Sequence, residues 1–230
     1  MTAKNKEFLL GVRSALPIAL GYLPLGFAFG VLAAEVGLSL TEVLFMSLLV
    51  FAGSGQYVTI ALLATQATFS EIILTNFLIN ARHFLMGAAL APHLSRFPKW
   101  LLPFIAWEIT DETFVVAINH YQQHPATETY HLGLNLTSHL SWIIFTVLGA
   151  VAGGYISNPE SLGLNFALPA MFIALLLLQL KDNIQLIVAI FAGTISLLIY
   201  YYFPGNLNII IASILAAALG VILETCASKS

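Results

Sequence analysis

Charge is what this sequence has least of. Only 8% of its 230 residues are Asp, Glu, Lys or Arg, against roughly 25% in an ordinary soluble domain. Eight basic and eleven acidic side chains cannot cover a globule of this size. That excludes a soluble enzyme, and it excludes a disordered chain, whose composition is the opposite. A net charge of −3 with no basic patch excludes a nucleic-acid binder, since nothing would neutralise phosphates. The chain holds one cysteine, Cys226, so no internal disulfide can form. Period-2 alternation is also missing, which favours helices over a β-barrel.

What is present is apolar: 59% of the residues are hydrophobic. Long uninterrupted runs read as spanning helices, which satisfy their own backbone in lipid. The expected architecture is an all-α integral membrane protein. It is a polytopic bundle of seven or eight spans, with residues 1–230 as one transmembrane domain. The spans read as 14–34, 42–64, 72–91, 100–118, 132–155, 164–180, 184–203 and 207–224, with 119–131 as the longest polar loop. The basic start followed by a continuing apolar run reads as a first span rather than a cleaved signal.

Lys4, Lys6 and Arg13 place the N-terminus in the cytoplasm. Eight crossings would put Arg96 and Lys99 outside, against that rule, and the interrupted second segment is the prime suspect for an incomplete crossing. The order Ala-Leu-Pro then Phe-Ala-Gly occurs at 15–17 and 51–53 and again at 167–169 and 191–193. It raises the expectation of inverted repeats with broken helices, a common transporter symmetry.

Four polar clusters interrupt the apolar runs. Tyr22 and Pro24, flanked by Gly21 and Gly26, predict a broken first helix, because Pro24 removes a donor and clashes with the preceding turn. A proline kink in a continuous helix is the alternative. Gly53, Ser54, Gly55 and Gln56 predict a second break, whose free N–H groups suit a carboxylate. Asn76, Asn80 and His83 share one helical face, while Arg82 lies about 120° away. Either Arg82 has its own acidic partner or the helix breaks near Asn80. Glu108, Asp111 and Glu112 fall at i, i+3 and i+4, three carboxylates on one predicted stripe. One of them, Asp111 by preference, should neutralise Arg82, and Glu108 or Glu112 is left as a proton carrier. His120, His124, His131 and His139 lack a metal-binding pattern, so no metal and no cofactor is expected.

The segments SALPIALGYLPLGFAFGVLA, FAGSGQ, NARHFLMGAALAPHL, DETF and LPAMFIALLLLQL followed by KD occur in this order. They resemble the AzlC family, the large subunits of branched-chain amino-acid exporters, over nearly the whole chain. The resemblance implies a multi-pass transporter of the bacterial inner membrane, not an enzyme. It also implies a small hydrophobic AzlD-type partner of about four spans. The expected function is export of valine, leucine, isoleucine or methionine. The glycine breaks would hold the carboxylate, an Asn amide the ammonium, and Phe27 or Phe51 the side chain. Broad aliphatic specificity is expected, because each methylene discriminates by only about 1–3 kcal/mol. The rivals are an intramembrane hydrolase built on Glu108, Glu112, His83 and His139, and a structural subunit of a permease complex.

Overall fold

The computed structural model describes residues 3–156, nine positions between 161 and 180, and residues 182–202 and 207–227. Among them the chain is helical, with no strand. It divides into two compact units, residues 1–168 and 169–230.

The first unit is organised on two long helices, α1 (Ala3–Glu35) and α8 (Glu128–Gly153). They run parallel and in contact along their whole length. Glycines make that approach possible. A Cβ on Gly11 would strike the Tyr130 carbonyl, one on Gly30 the Thr146 carbonyl, and one on Gly149 the Phe27 carbonyl. Gly26 and Gly30 on α1, and Gly149 and Gly153 on α8, repeat at four residues, the small-residue spacing that lets membrane helices meet backbone to backbone. Apolar side chains are no better off against protein than against lipid tails. Close packing is therefore what holds this pair. Gly37, at φ +88°, ends α1 by turning left-handed, and Leu38 N–H returns to the Ala33 carbonyl.

α1 is continuous through Pro17 and Pro24, which corrects the expected break at Tyr22–Pro24. Pro24 is exposed on the outer face of the helix, and Gly21 has nothing near it. The carbonyl freed by proline is thus accommodated without opening the helix.

Every other expected span before α8 is interrupted. The second is α2 (Leu40–Leu49) and α3 (Gly53–Ala64); the third is α4 (Phe69–Asn80) and α5 (Arg82–Leu90); the fourth is α6 (Leu102–Trp107) and α7 (Asp111–Tyr121). Ser39, Thr68 and Thr110 start α2, α4 and α7 as capping boxes.

Two of these pairs double back. Along α2 and α3, Ser47 bonds Thr146 at 2.9 Å, and Gln56, nine residues on, returns to within 3.5 Å of Ser47. Phe51 packs beside Tyr22 of α1, and Tyr57 beside Phe29, so the chain has turned and climbs α1 again. Along α6 and α7, Phe97 meets His131, Glu108 reaches His139, and Tyr121 returns to His131. The α2–α3 hairpin therefore enters from the end of the unit where α1 finishes, and the α6–α7 hairpin from the end where α1 begins. Only α4–α5 crosses between them. Asn76 faces Thr59 near one end, and His93, just past α5, faces Tyr121 at the other.

Among the described residues of this unit, three helices or helix pairs are long and apolar enough to cross a membrane: 4–35, 69–90 and 128–153. Re-entry of the other two segments moves Arg96 and Lys99 to the same end as Lys4 and Lys6, while Glu35, Glu42 and Glu71 gather at the opposite end. The polar loop is also shorter than expected. Thr127 caps α8, so Glu128–His131 are helical, and Tyr130 and His131 are buried.

In the second unit, α9 (Asn183–Tyr202) is a fourth helix able to cross a membrane, and α10 (Leu207–Ala227) packs on it. The expected span 164–180 and the second Ala-Leu-Pro fall largely outside the described residues. The second Phe-Ala-Gly lies in unbroken α9.

Candidate functional site

Three helix interruptions, at 50–52, at Ala81 and at 108–110, converge in the middle of the first unit. Broken helices leave carbonyls and N–H groups that must find partners where no water is guaranteed. At the end of α2, Trp107 Nε1 donates to the Leu49 carbonyl at 2.9 Å, and His139 Nε2 donates to the Ser47 carbonyl at 3.0 Å. The tip of the α6–α7 hairpin and α8 thereby close the end of α2. Trp142 Nε1 donates to Gln56 Oε1 at 2.7 Å, which fastens α3 to α8. Gln56 is thus turned toward α8, and Gly53 seats the ring of Trp142.

The first turns of two half-helices are treated differently. α7 carries Asp111 and Glu112 at its positive end. α3 starts at Ala52 and Gly53 with no side-chain cap. Arg82 stands between them: its guanidinium lies 2.9 Å from Asp111 Oδ2 and donates to Ser54 Oγ at 2.7 Å. Side-chain exposures of 31% for Arg82 and 21% for Asp111 put the pair at the edge of the buried centre rather than deep within it.

The three carboxylates do not form one stripe. The helix ends at Trp107 and restarts at Asp111, so Glu108 turns away from the other two. Glu108 is 1% exposed and meets His139 Nδ1 at 2.8 Å. Glu112 accepts from the Tyr22 hydroxyl at 2.8 Å, and Tyr22 also meets Thr110 at 3.0 Å. Each carboxylate has a different partner, because the break rotates Glu108 out of the helical register that joined them in the sequence. His139 has a defined role here that its sequence position does not signal; the sequence offers it only to the hydrolase alternative and to the four histidines without a metal-binding pattern.

The geometry of the Glu108–His139 pair fixes how many protons it holds. Nε2 must carry a hydrogen, because its partner is a carbonyl. One further proton is then shared between Nδ1 and Oε1. The pair is a neutral imidazole with a carboxylic acid, or an imidazolium with a carboxylate, and the two forms differ only in the side on which that proton sits.

A cavity of about 180 Å³ lies at the convergence, lined by Leu49, Val50, Phe51, Ala52, Asn80, His83, Ala106, Trp107 and Ile109. A second of about 490 Å³ adjoins it along α4 and α5, with Asn76, Phe77, Asn80 and His83 in its wall. Asn80 and His83 line both. Asn80 Oδ1 is buried without a hydrogen-bond partner among the described residues. Gly55 lets Asn76 and Asn80 lie against α3, since a Cβ there would stand 2.8 Å from Asn80 Nδ2. Asn76 itself donates to Thr59 at 2.9 Å. Phe51 lines the smaller cavity; Phe27 lines neither. Among the described residues no group of three or more His, Cys, Asp or Glu side chains could hold a metal ion.

A helical membrane protein is defined by these features, with discontinuous helices meeting at a buried polar centre. The chain belongs to the AzlC family: the family model described as AzlC protein matches residues 17–156, which include the second half of α1 and every other element of the site. It is 35% identical over 184 residues to an uncharacterized membrane protein of Helicobacter pylori, covering 77% of this chain and 79% of that one. The inner membrane protein YgaZ of Escherichia coli is 32% identical over 192 residues, 80% of this chain and 78% of that one. The branched-chain amino acid transport protein AzlC of Bacillus subtilis is 28% identical over 227 residues, 95% of this chain and 87% of that one. No solved structure matches.

Proposed function

We propose that this protein is a proton-coupled secondary transporter that exports branched-chain amino acids across the bacterial inner membrane, together with a small AzlD-type subunit. The observation that carries the reading is the cavity at the meeting point of three helix breaks, in a chain similar along 95% of its length to a branched-chain amino acid transport protein. Half-helix ends near the middle of a membrane protein present backbone groups to small polar ligands without exposing them to lipid.

In this reading the uncapped start of α3, with Ser54 and Arg82 beside it, receives the substrate carboxylate. Asn80 Oδ1 accepts from the ammonium. Phe51, Val50 and Ile109 surround the aliphatic side chain. Glu108 with His139 carries the coupled proton. Tyr22 and Glu112 tie α1 to the start of α7 and move with it. Gln56 fastens α3 to α8 and Pro24 lies on the outer face of α1, so neither touches the substrate. Lys4, Lys6, Arg96 and Lys99 share one end of the unit, and the positive-inside rule assigns that end to the cytoplasm.

The test is counterflow in proteoliposomes. Vesicles loaded with unlabelled valine should accumulate labelled valine, leucine and isoleucine, and not labelled glutamate or lysine. Asn80→Leu should abolish accumulation while leaving protein abundance unchanged. Absence of counterflow by the chain, alone and with the small subunit, refutes the transporter reading.

A further inference from the structure

The buried face of α8 that looks toward the two hairpins carries more polar groups than the site uses. His131, Asn135 and His139 recur every four residues, so their side chains stand one above another along about 12 Å of helix. All three are buried. His139 ends the line at Glu108. At the other end, His131 Nδ1 meets the Tyr121 hydroxyl at 2.6 Å. Four atoms on this line are buried without a hydrogen-bond partner among the described residues: His131 Nε2, both amide atoms of Asn135, and Glu108 Oε2. Native proteins rarely leave such groups unsatisfied. Buried water is the usual partner of such groups.

Beyond Tyr121 the line reaches the edge of the unit. His93 faces Tyr121, and His120 stacks on Tyr130 at 3.8 Å and sits 4.8 Å from His124. Burial, and then the neighbouring His124, hold His120 below the usual histidine range, against the pull of Glu7. The ionisable groups around the line are therefore Glu108 from the α6–α7 turn, Tyr121 from α7 and His93 from the link after α5. At the outer end they are His120, His124, Tyr130 and Glu7.

We propose that His131 and Asn135, through water held between them, conduct protons between the Glu108–His139 pair and the histidine-rich end of the unit. This rests on the proton-coupled reading above and adds its route. A proton arriving at the Tyr121 oxygen lets the hydroxyl's own proton pass to His131 Nδ1. The imidazolium so formed breaks its Nε2–H bond and gives that proton to the water at Asn135, which delivers one to Glu108 Oε2. The reverse transfer restores the ring: Nε2 takes a proton back from the same water as Glu108 Oε2 unloads, and the Nδ1 proton passes to the tyrosine oxygen, which loses one outward. Asn135 gains and loses no proton; it orients the water as donor and acceptor. The α6–α7 hairpin covers this stretch of α8, so the route opens toward the end that carries Lys4, Lys6, Arg96 and Lys99.

The test uses inverted membrane vesicles containing the full-length chain co-expressed with its small subunit. A pH-sensitive dye reports proton movement on addition of valine, and labelled valine reports exchange. Tyr121→Phe and Asn135→Leu should lower proton movement at least tenfold and leave valine exchange at the wild-type rate, and Asn135→Ser, which keeps room and a polar group for water, should restore it. A purely structural role would lower both readouts together. Unaltered proton movement in Tyr121→Phe, a conservative change that retains the fold even if Asn135→Leu does not assemble, overturns the route while leaving proton coupling in place. Wild-type vesicles that exchange valine with no proton movement overturn both.

Discussion

Replacing Glu108 and His139 in turn separates what their pair does for stability from what it does for transport. In Glu108→Gln the new amide donates to His139 Nδ1, and Nε2 keeps its bond to Ser47. Both contacts survive, and the cost should stay within the net worth of one hydrogen bond, about 0.5–1.5 kcal/mol. Glu108→Leu leaves Nδ1 buried and unpaired, at about 1–3 kcal/mol. His139→Leu is worse. It strips the partner from a carboxyl that is 1% exposed and also orphans the Ser47 carbonyl at the end of α2. Breaking a buried pair from one side costs about 3–5 kcal/mol. For a chain of this length that corresponds to a fall in melting temperature of about 6–20 °C. The measurement is thermal stability of detergent-purified variants by size-exclusion chromatography after heating, with valine transport across a pH series on the same preparations. The expected stability order is wild type, Glu108→Gln, Glu108→Leu, His139→Leu. Glu108→Gln, though stable, should lose proton-driven transport, because the amide cannot take up the shared proton. A Glu108→Gln protein as unstable as His139→Leu refutes the hydrogen-bond assignment. Undiminished proton-driven transport in that variant refutes the carrier role.

Arg82→Met or Asp111→Asn alone should lower abundance, each leaving one charge unmatched at a cost of up to about 2.5–3.5 kcal/mol, and the double variant should recover it; equal abundance of all three would dissolve the ion pair's structural role. Gly30→Ala should destabilise by about 1–3 kcal/mol, since its methyl group overlaps the Thr146 carbonyl, whereas Gly21→Ala should be neutral or stabilising; heating curves of the two decide whether α1 and α8 meet as described. Trp107→Phe keeps the ring but uncaps the Leu49 carbonyl, and about 1–3 kcal/mol should be lost; an unchanged melting temperature would detach the two hairpin tips from each other.

Much of this protein is legible in its sequence. A composition poor in charge and rich in apolar residues leaves only a helical membrane protein, because a barrel needs alternation and a globule needs a polar coat. The interruptions are also visible. Gly53–Gly55 announces a helix start with room for neighbours, and Arg82 beside Asn80 demands either a break or an acid. The structure contains both, with Ala81 between the half-helices and Asp111 at 2.9 Å. What hydropathy cannot record is direction. An apolar run of some twenty residues reads the same whether it crosses a membrane or turns back halfway. Pro24 looked like a break and lies on an unbroken helix, because one missing donor on an exposed face asks for no reorganisation. The second and fourth segments reverse because distant side chains satisfy the carbonyls that reversal frees: Trp107, 58 positions from Leu49, and His139, 92 positions from Ser47. Glu108 shares a helical stripe with Asp111 and Glu112 only while that helix stays whole. Once it breaks, each carboxylate answers to whatever tertiary neighbour it faces, and only the folded chain brings His139, Arg82 and Tyr22 to those three places.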